Sequence, residues 1–305
     1  MRRRIIGIAA IIVGLLGLIF NPPQWLFTRV LSPVVCPGAV YAVNTPEKIV
    51  ALTIDDGPDL RLGDANSTTQ ILDVLQQHNQ QETEFTAHAT FFLIGNQVKQ
   101  RETLNHTPLD AVTARIIQDG HEIGNHMAED GATILLGDRF FQAFDDTHQR
   151  LMAYAQLPES QYAQVRWLRP GVGWCDLPMI RTVSQQETYL SRSGAPNIAL
   201  GSIWPYDTAQ SGAAFSRWFI RHNLRPGAII ILHDSGSWGD RTAQVLEGLL
   251  QDLAQRAYTI VPLSQLLERG EPVALSQGFP QPIEAMRTAI VVGVERIRLW
   301  VSGQP

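Results

Sequence analysis

Residues 49–54, Ile-Val-Ala-Leu-Thr-Ile, are apolar or β-branched throughout, and the run stops on Asp55-Asp56-Gly57-Pro58. A short uncharged run bounded by turn formers predicts a buried strand, here with two carboxylates at its carboxyl end. Similar apolar runs recur at 89–95, at 165–168 leading into Arg169-Pro170-Gly171, at 227–232 leading into His233-Asp234, and at 258–261. Between them the spacing turns helical. An Asn66-Ser67 cap opens a predicted helix over 67–77 with Ile71, Leu72 and Leu75 inward, and further helices are predicted over 109–119, 139–155, 243–257 and 263–269. In the 139–155 helix, Phe140, Phe141, Phe144, Leu151 and Met152 fall at helical spacing and are expected in the core. Alternating strands and helices predict an α/β fold built on parallel strands, and no internal repeat is visible.

Chemistry is expected where the polar groups gather. Active-site side chains of parallel α/β barrels sit at the carboxyl ends of strands. Adjacent ionised carboxylates repel unless a cation separates their roles, so one can hold a metal while the other serves as base. Gly120-His121-Glu122-Ile123-Gly124-Asn125-His126 follows a helix-like stretch, and His126 and Asp130, four residues apart, share a face if helical. The Arg169-Pro170-Gly171 loop offers a cation and backbone N–H groups, and the 227–232 strand ends in an imidazole. Each feature alone has a plain structural reading: Asp-Gly-Pro is turn-forming, and a single histidine is more often structural than catalytic. Four polar ends on four apolar strands point to a site.

In this order the motifs resemble the polysaccharide deacetylase family, the NodB-homology domain of carbohydrate esterase family 4. Thr53-Ile54-Asp55-Asp56-Gly57-Pro58 corresponds to the family's Thr-Phe-Asp-Asp-Gly-Pro, Leu232-His233-Asp234 to its closing Leu-His-Asp, and 120–126 to the approach to its second motif. The resemblance spans about residues 48–268 and implies a distorted (β/α) barrel with fewer than eight regular strands. It implies Asp55 as general base, Arg169 as the residue orienting it, His233 as general acid with Asp207 tuning it, and a divalent metal, Zn²⁺ above Mn²⁺, Co²⁺ or Mg²⁺, held by Asp56 and His126. The Val172 N–H would hold the oxyanion, and the substrate would be an acetylated polysaccharide or oligosaccharide. The expected reaction is de-N-acetylation of amino sugars; O-deacetylation is the rival within the class, and a degenerate carbohydrate-binding scaffold the rival outside it.

The departures bear on that expectation. The family's His-Ser/Thr-x-x-His is His126-Met127-Ala128-Glu129-Asp130 here. Asp130 then replaces the second histidine as third ligand, Glu129 does so instead, or the site is weakened. A harder oxygen set shifts preference toward Mn²⁺, Mg²⁺ or Fe²⁺, and Met127 cannot supply the lost hydroxyl. Arg169-Pro170-Gly171-Val172-Gly173 stands for Arg-Pro-Pro-Tyr-Gly, with a floppier glycine and no aromatic wall. In the fourth motif Trp204 and Thr208 replace the first aspartate and the closing tryptophan. Sugar stacking is expected from Trp204 first, with Tyr206, Trp174 and Trp238 near motif residues, although tryptophan in a large α/β domain is more often core.

The ends of the chain suggest where it works. Arg2-Arg3-Arg4 precedes an uncharged apolar run over 5–20 with no clean small-x-small cleavage site. This predicts an uncleaved signal anchor over 1–30 with the remainder outside the cytoplasm, periplasmic or extracellular. A connector over 31–47, a catalytic domain over 48–270 and a C-terminal segment over 271–305 complete the expected organisation. Within the last, 283–301 mixes arginines with large apolar residues and either packs on the domain or lies on a membrane surface. Cys36 and Cys175 fit an exported chain as one disulfide, or remain two buried thiols. With 305 residues, 45% of them apolar, and a net charge of −5, the chain can bury one large core, and lacks the basic excess of a nucleic-acid binder.

Overall fold

Strand β2 (Ile49–Gly57) is the middle of the molecule, buried from Val50 onward. The computed structural model describes residues 36–274 apart from 37, 83, 132–135, 159, 176, 210 and 211. Parallel strands β3 (Thr90–Leu93) and β5 (Ile229–His233) flank β2, β4 (Glu122–Asn125) pairs with β3, and β6 (Thr259–Val261) pairs with the first residues of β2. A strand paired on both edges and covered on both faces has no solvent side, hence its near-continuous apolar composition. Val50, Leu52 and Ile54 join the larger core, and Ala51 joins a smaller one with Phe92, Trp167, Ala199, Ile229 and Val261. By the period of two, Thr53 and Asp55 continue the Ala51 face, so Asp55 caps the smaller core.

Among the described residues, helices enclose this sheet. Helix α1 (Ser67–Gln81) starts where the Asn66 side chain accepts from the Thr69 N–H, and it buries Ile71, Leu72 and Leu75 as expected, running four residues past the predicted end. Helices α2 (Gly95–Leu104) and α3 (Ala111–Gln118) precede β4, and α4 (Phe140–Ala155) follows it. Phe141 on α4 departs from the core expectation: it is 49% exposed, while Phe140 and Phe144 are buried. Next come α5 (Leu177–Ser184), α6 (Ala213–Asn223), α7 (Gly236–Gln255) and α8 (Leu263–Leu267). Helix α7 packs on both α1 and α6. It begins at Gly236, seven residues before the apolar periodicity announces it, because Gly239 must lie against Ser67 and Asp234, where no side chain fits.

Regular strands do not close this sheet into a barrel. The order is β4-β3-β2-β5 with β6 on β2, and among the described residues the gap between β4 and β5 is crossed only by single parallel bridges, Asn125 to Leu168, Leu168 to Ile198, and Ile203 to Ile230. The predicted 165–168 strand is reduced to a single residue, Leu168, which makes two of these bridges. Proline at 170 and the left-handed turn at Val172 stop a ladder from extending there.

Chain outside the expected catalytic span is tied into the fold. Strand β1 (Val40–Asn44), from the 31–47 connector, pairs antiparallel with β7 (Glu271–Ala274), and Cys36 forms a disulfide with Cys175 across 139 residues of sequence. Closing a loop this long restricts the unfolded chain strongly. Replacing both cysteines with serine is expected to cost about 3–5 kcal/mol, read as a lower urea midpoint; an unchanged midpoint would show the bridge to be energetically idle. The anchor expected over 1–30 and the amphipathic segment over 283–301 lie outside the described residues. Among those described, no helix is long and apolar enough to cross a membrane.

Candidate active site

Consecutive residues of a strand face opposite ways, so Asp55 and Asp56 can share a site only if the strand is broken between them. It is. Asp56 has φ 67°, and the pairing of β2 with β3 shifts register between Ile54 and Gly57. The extra residue turns both carboxylates to one end of the sheet. Both are buried.

Asp55 meets Arg169. The guanidinium donates from Nη1 to Asp55 Oδ1 and to Thr53 Oγ1, both at 2.6 Å, from Nε to Ala199 O at 3.0 Å and from Nη2 to Leu200 O at 3.3 Å. It also lies 4.1 Å from the centre of the Phe92 ring. A buried cation with this many acceptors is locked, and so is the carboxylate it grips.

Asp56 meets His126, with Nε2 to Oδ1 at 3.1 Å, while His126 Nδ1 is 2.8 Å from Arg169 O. The Arg169 carbonyl therefore takes the Nδ1 proton and leaves Nε2 on the Asp56 side, the orientation that second-shell acceptors impose on metal-ligating histidines. Asp130 completes a group in which one ligand atom from each of Asp56, His126 and Asp130 lies within 4.8 Å of the others. One imidazole and two carboxylates form a donor set that fits a divalent cation. Burial disfavours a charged His126, yet the Asp56 hydrogen bond and the charges of Asp55, Asp56 and Asp130 push its pKa up to about 9. Burial also opposes ionisation of Asp56, but His126 holds its carboxyl below the usual range. A pocket this negative already retains one positive charge, and a bound metal would displace that proton. Glu129 points elsewhere, with Oε1 accepting from Asn96 Nδ2 at 3.1 Å.

His233 closes the site from β5. Its register partner in β2 is Asp55. The fully buried Asp207 carboxylate accepts from the His233 backbone N–H at 2.7 Å and lies 3.0 Å from Nδ1. Burial works against the imidazolium; the charge and hydrogen bond of Asp207 outweigh it and push its pKa up to about 9.

Two sequence departures acquire a reason. A Cβ on Gly171 would lie 2.0 Å from Gly131 O, so only glycine lets the Arg169 loop pack on the loop that carries Asp130. Met127, which lacks the family's hydroxyl, is fully buried, and the loop is braced instead by Asn125 Oδ1 accepting from the Met127 N–H at 2.8 Å and by Met127 O accepting from the Gly95 N–H at 2.9 Å. Of the other expected residues, Val172 is 36% exposed at φ 48°, Trp174 is half-buried, and Trp204 is 47% exposed against Tyr206, with ring centres 5.1 Å apart. Non-glycine residues at positive φ are uncommon. Here Asp56, Met127, Val172, Tyr206 and Ser235 all adopt it within three residues of a site side chain, which places backbone strain around the site.

Sequence reasoning missed the supporting groups. Thr53 was visible in principle, because it shares the Asp55 face two residues away. Thr242, donating to His233 O at 2.7 Å, and Arg241, donating to Asp207 O, gave no signal, since both reach the site from α7. Asp234, read only as part of His-Asp, is a buried bracket accepting from Ser67 Oγ at 2.5 Å and from Thr68 Oγ1; burial pushes its carboxyl up to about 6 despite those donors.

Known proteins resemble this chain over about three-quarters of its length. A peptidoglycan-N-acetylglucosamine deacetylase of Bacillus cereus is 27% identical over 243 residues, covering 74% of this chain and 92% of that protein. A chitooligosaccharide deacetylase of Bradyrhizobium is 28% identical over 240 residues, covering 74% and 94%. The solved structure of a peptidoglycan N-acetylglucosamine deacetylase shares the fold at a TM-score of 0.60 and 21% identity, covering 83% of this chain and all of that one. Residues 42–170, from β1 through the Arg169-Pro170 loop, match the Polysaccharide deacetylase family model, which bears out the family resemblance read from the motifs.

Proposed function

We propose that this protein is a divalent-metal-dependent hydrolase that removes N-acetyl groups from amino sugars of a cell-wall or extracellular polysaccharide. The observation that carries the reading is the convergence, at one end of one sheet, of a clamped carboxylate (Asp55–Arg169), a charged imidazole (His233–Asp207) and a three-residue donor set (Asp56, His126, Asp130). A binding module has no chemical need for all three together. The peptidoglycan and chitooligosaccharide activities in the relatives' names support the substrate class.

In this mechanism Asp56, His126 and Asp130 would hold the cation, which when bound would polarise the acetyl carbonyl and lower the pKa of a water. Asp55, oriented by Arg169, accepts the proton of the attacking water. The Val172 N–H donates to the oxyanion that develops on the acetyl oxygen. His233 gives its proton to the departing nitrogen, yielding acetate and a free amine. An amine must be protonated to leave, whereas an alcohol leaves far more readily. His233, held by Asp207 at 3.0 Å, supplies that proton, which an amide needs more than an O-acetyl ester does. Export is proposed on the Arg2–Arg4 and 5–20 pattern and on the Cys36–Cys175 bridge, which suits an oxidising compartment.

The test is acetate release by the purified chain, stripped of metal and reloaded with Zn²⁺, Mn²⁺, Co²⁺ or Mg²⁺, from N-acetylglucosamine oligomers and from acetylated xylan. Asp55→Asn should lower turnover by roughly 10²–10⁴-fold without loss of metal. Release from xylan alone would overturn the amide reading, and release from neither substrate under any metal, with glycan binding intact, would favour the scaffold. Asp130→Ala should raise the metal Kd by more than about tenfold; an unchanged Kd would remove Asp130 from the ligand set.

A further inference from the structure

The site does not end at Tyr206. A row of aromatic rings leads away from it: Trp204 to Tyr206 at 5.1 Å between ring centres, Tyr206 to Phe215 at 6.4 Å, and Phe215 to Trp218 at 5.6 Å, the last two on α6. The row adjoins the chemistry at Tyr206, which directly precedes Asp207, whose carboxylate holds His233. Both indoles are open to solvent, Trp204 at 47% and Trp218 at 51%, although tryptophan is on average highly buried. Contiguous exposed apolar surface of this kind marks an interaction site.

We infer that this row is a distal sugar-binding track, holding units of an acetylated glycan strand beyond the one being deacetylated; it rests on the deacetylase reading above. The rings are held in place from behind. The Trp218 indole stacks on the His222 imidazole one helical turn on, with centres 5.3 Å apart and planes 17° apart, and Phe219 meets Tyr206 edge-on at 5.5 Å. Ring faces fixed before binding suit the flat C–H faces of pyranose rings at little entropic cost. A lipid surface fits less well. The basic residues beside Trp218, Arg217 and Arg221, both pair with Asp252, at 2.6 and 3.4 Å, and so are already engaged rather than free for anionic headgroups. Continuity with the catalytic end commits the occupant to the same polymer.

The experiment compares Trp218→Ala with the wild-type chain on the dimer and on long oligomers of N-acetylglucosamine. The expected result is an increase in KM of about tenfold for long chains, kcat/KM for the dimer unchanged, and restoration of most of the loss by Trp218→Phe. Equal effects on dimer and long chains, or no effect on either, would overturn the track. So would wild-type binding to phosphatidylcholine–phosphatidylglycerol vesicles that Trp218→Ala abolishes while the long-chain KM stays fixed. If the wild-type chain releases no acetate, affinity for the same oligomers by tryptophan fluorescence decides separately: weaker long-chain binding by Trp218→Ala keeps the track although the deacetylase reading has failed, and unchanged binding removes it.

Discussion

Replacing Arg169 with leucine is expected to cost the fold about 3–5 kcal/mol, the largest effect on stability of any single change proposed for this chain. Burial makes the guanidinium itself harder to charge, and Asp55 offsets part of that. Without it, the Asp55 carboxylate is left buried beside Thr53 Oγ1 and two main-chain carbonyls that all lose their donor. An uncompensated buried charge is the expensive part. A typical domain is stable by only about 5–15 kcal/mol, so the single variant should unfold at markedly lower urea, with activity lost as well. Removing the carboxylate too, in Arg169→Leu with Asp55→Leu, should recover a good part of the stability and none of the activity. A single variant within about 1 kcal/mol of the parent would show that the pair is not the structural clamp the geometry describes.

The second large effect concerns pH. His233 stays charged because Asp207 stabilises the imidazolium; a pKa raised to about 9 means the acid is present below that pH and is lost as pH rises through it. A bound divalent cation adds positive charge nearby and lowers the value, so the alkaline limb of kcat should fall at or below about pH 9. Asp207→Asn removes the negative charge while keeping the shape, and the limb should move down by roughly 1–2 pH units. From a limb near pH 9, turnover at pH 8 should drop by about 2–10-fold as the charged fraction shrinks. His233→Ala should lose about 10²–10⁴-fold with no alkaline limb at all. An Asp207→Asn profile superimposable on the parent, merely scaled, would remove the histidine from proton transfer to the leaving group.

Period and composition made much of this legible. The β2 run, the Asn66-capped helix, the Gly227–His233 strand and the buried residues Ile71, Leu72 and Leu75 are local features, and local features survive into the structure. The candidate site residues were legible for a second reason. They lie at the ends of apolar runs, where parallel strands deliver their side chains to a common edge. What stayed hidden depends on contacts between distant residues. Helix α6 carries no motif, yet it brings Phe215 and Trp218 to Tyr206. Arg241 and Thr242 belong to a helix whose first turn has little apolar periodicity. Strands β1 and β7 are short, lie far apart in sequence and define each other only by pairing.

The sequence by itself determined the candidate site residues and their order, because residue type sets donor, acceptor and charge, and hydrophobic period sets which strand each one ends. Tertiary structure alone decided how they are arranged. The left-handed turn at Asp56 and the register shift beside it bring two neighbouring carboxylates to one place. The Arg169 carbonyl chooses the His126 nitrogen that faces Asp56. The approach of Gly171 to Gly131 explains a glycine that, from sequence, looked like a loss of rigidity. Each of these depends on atoms 40 or more residues apart or on a backbone angle that no local propensity favours, and packing supplies the energy that holds them.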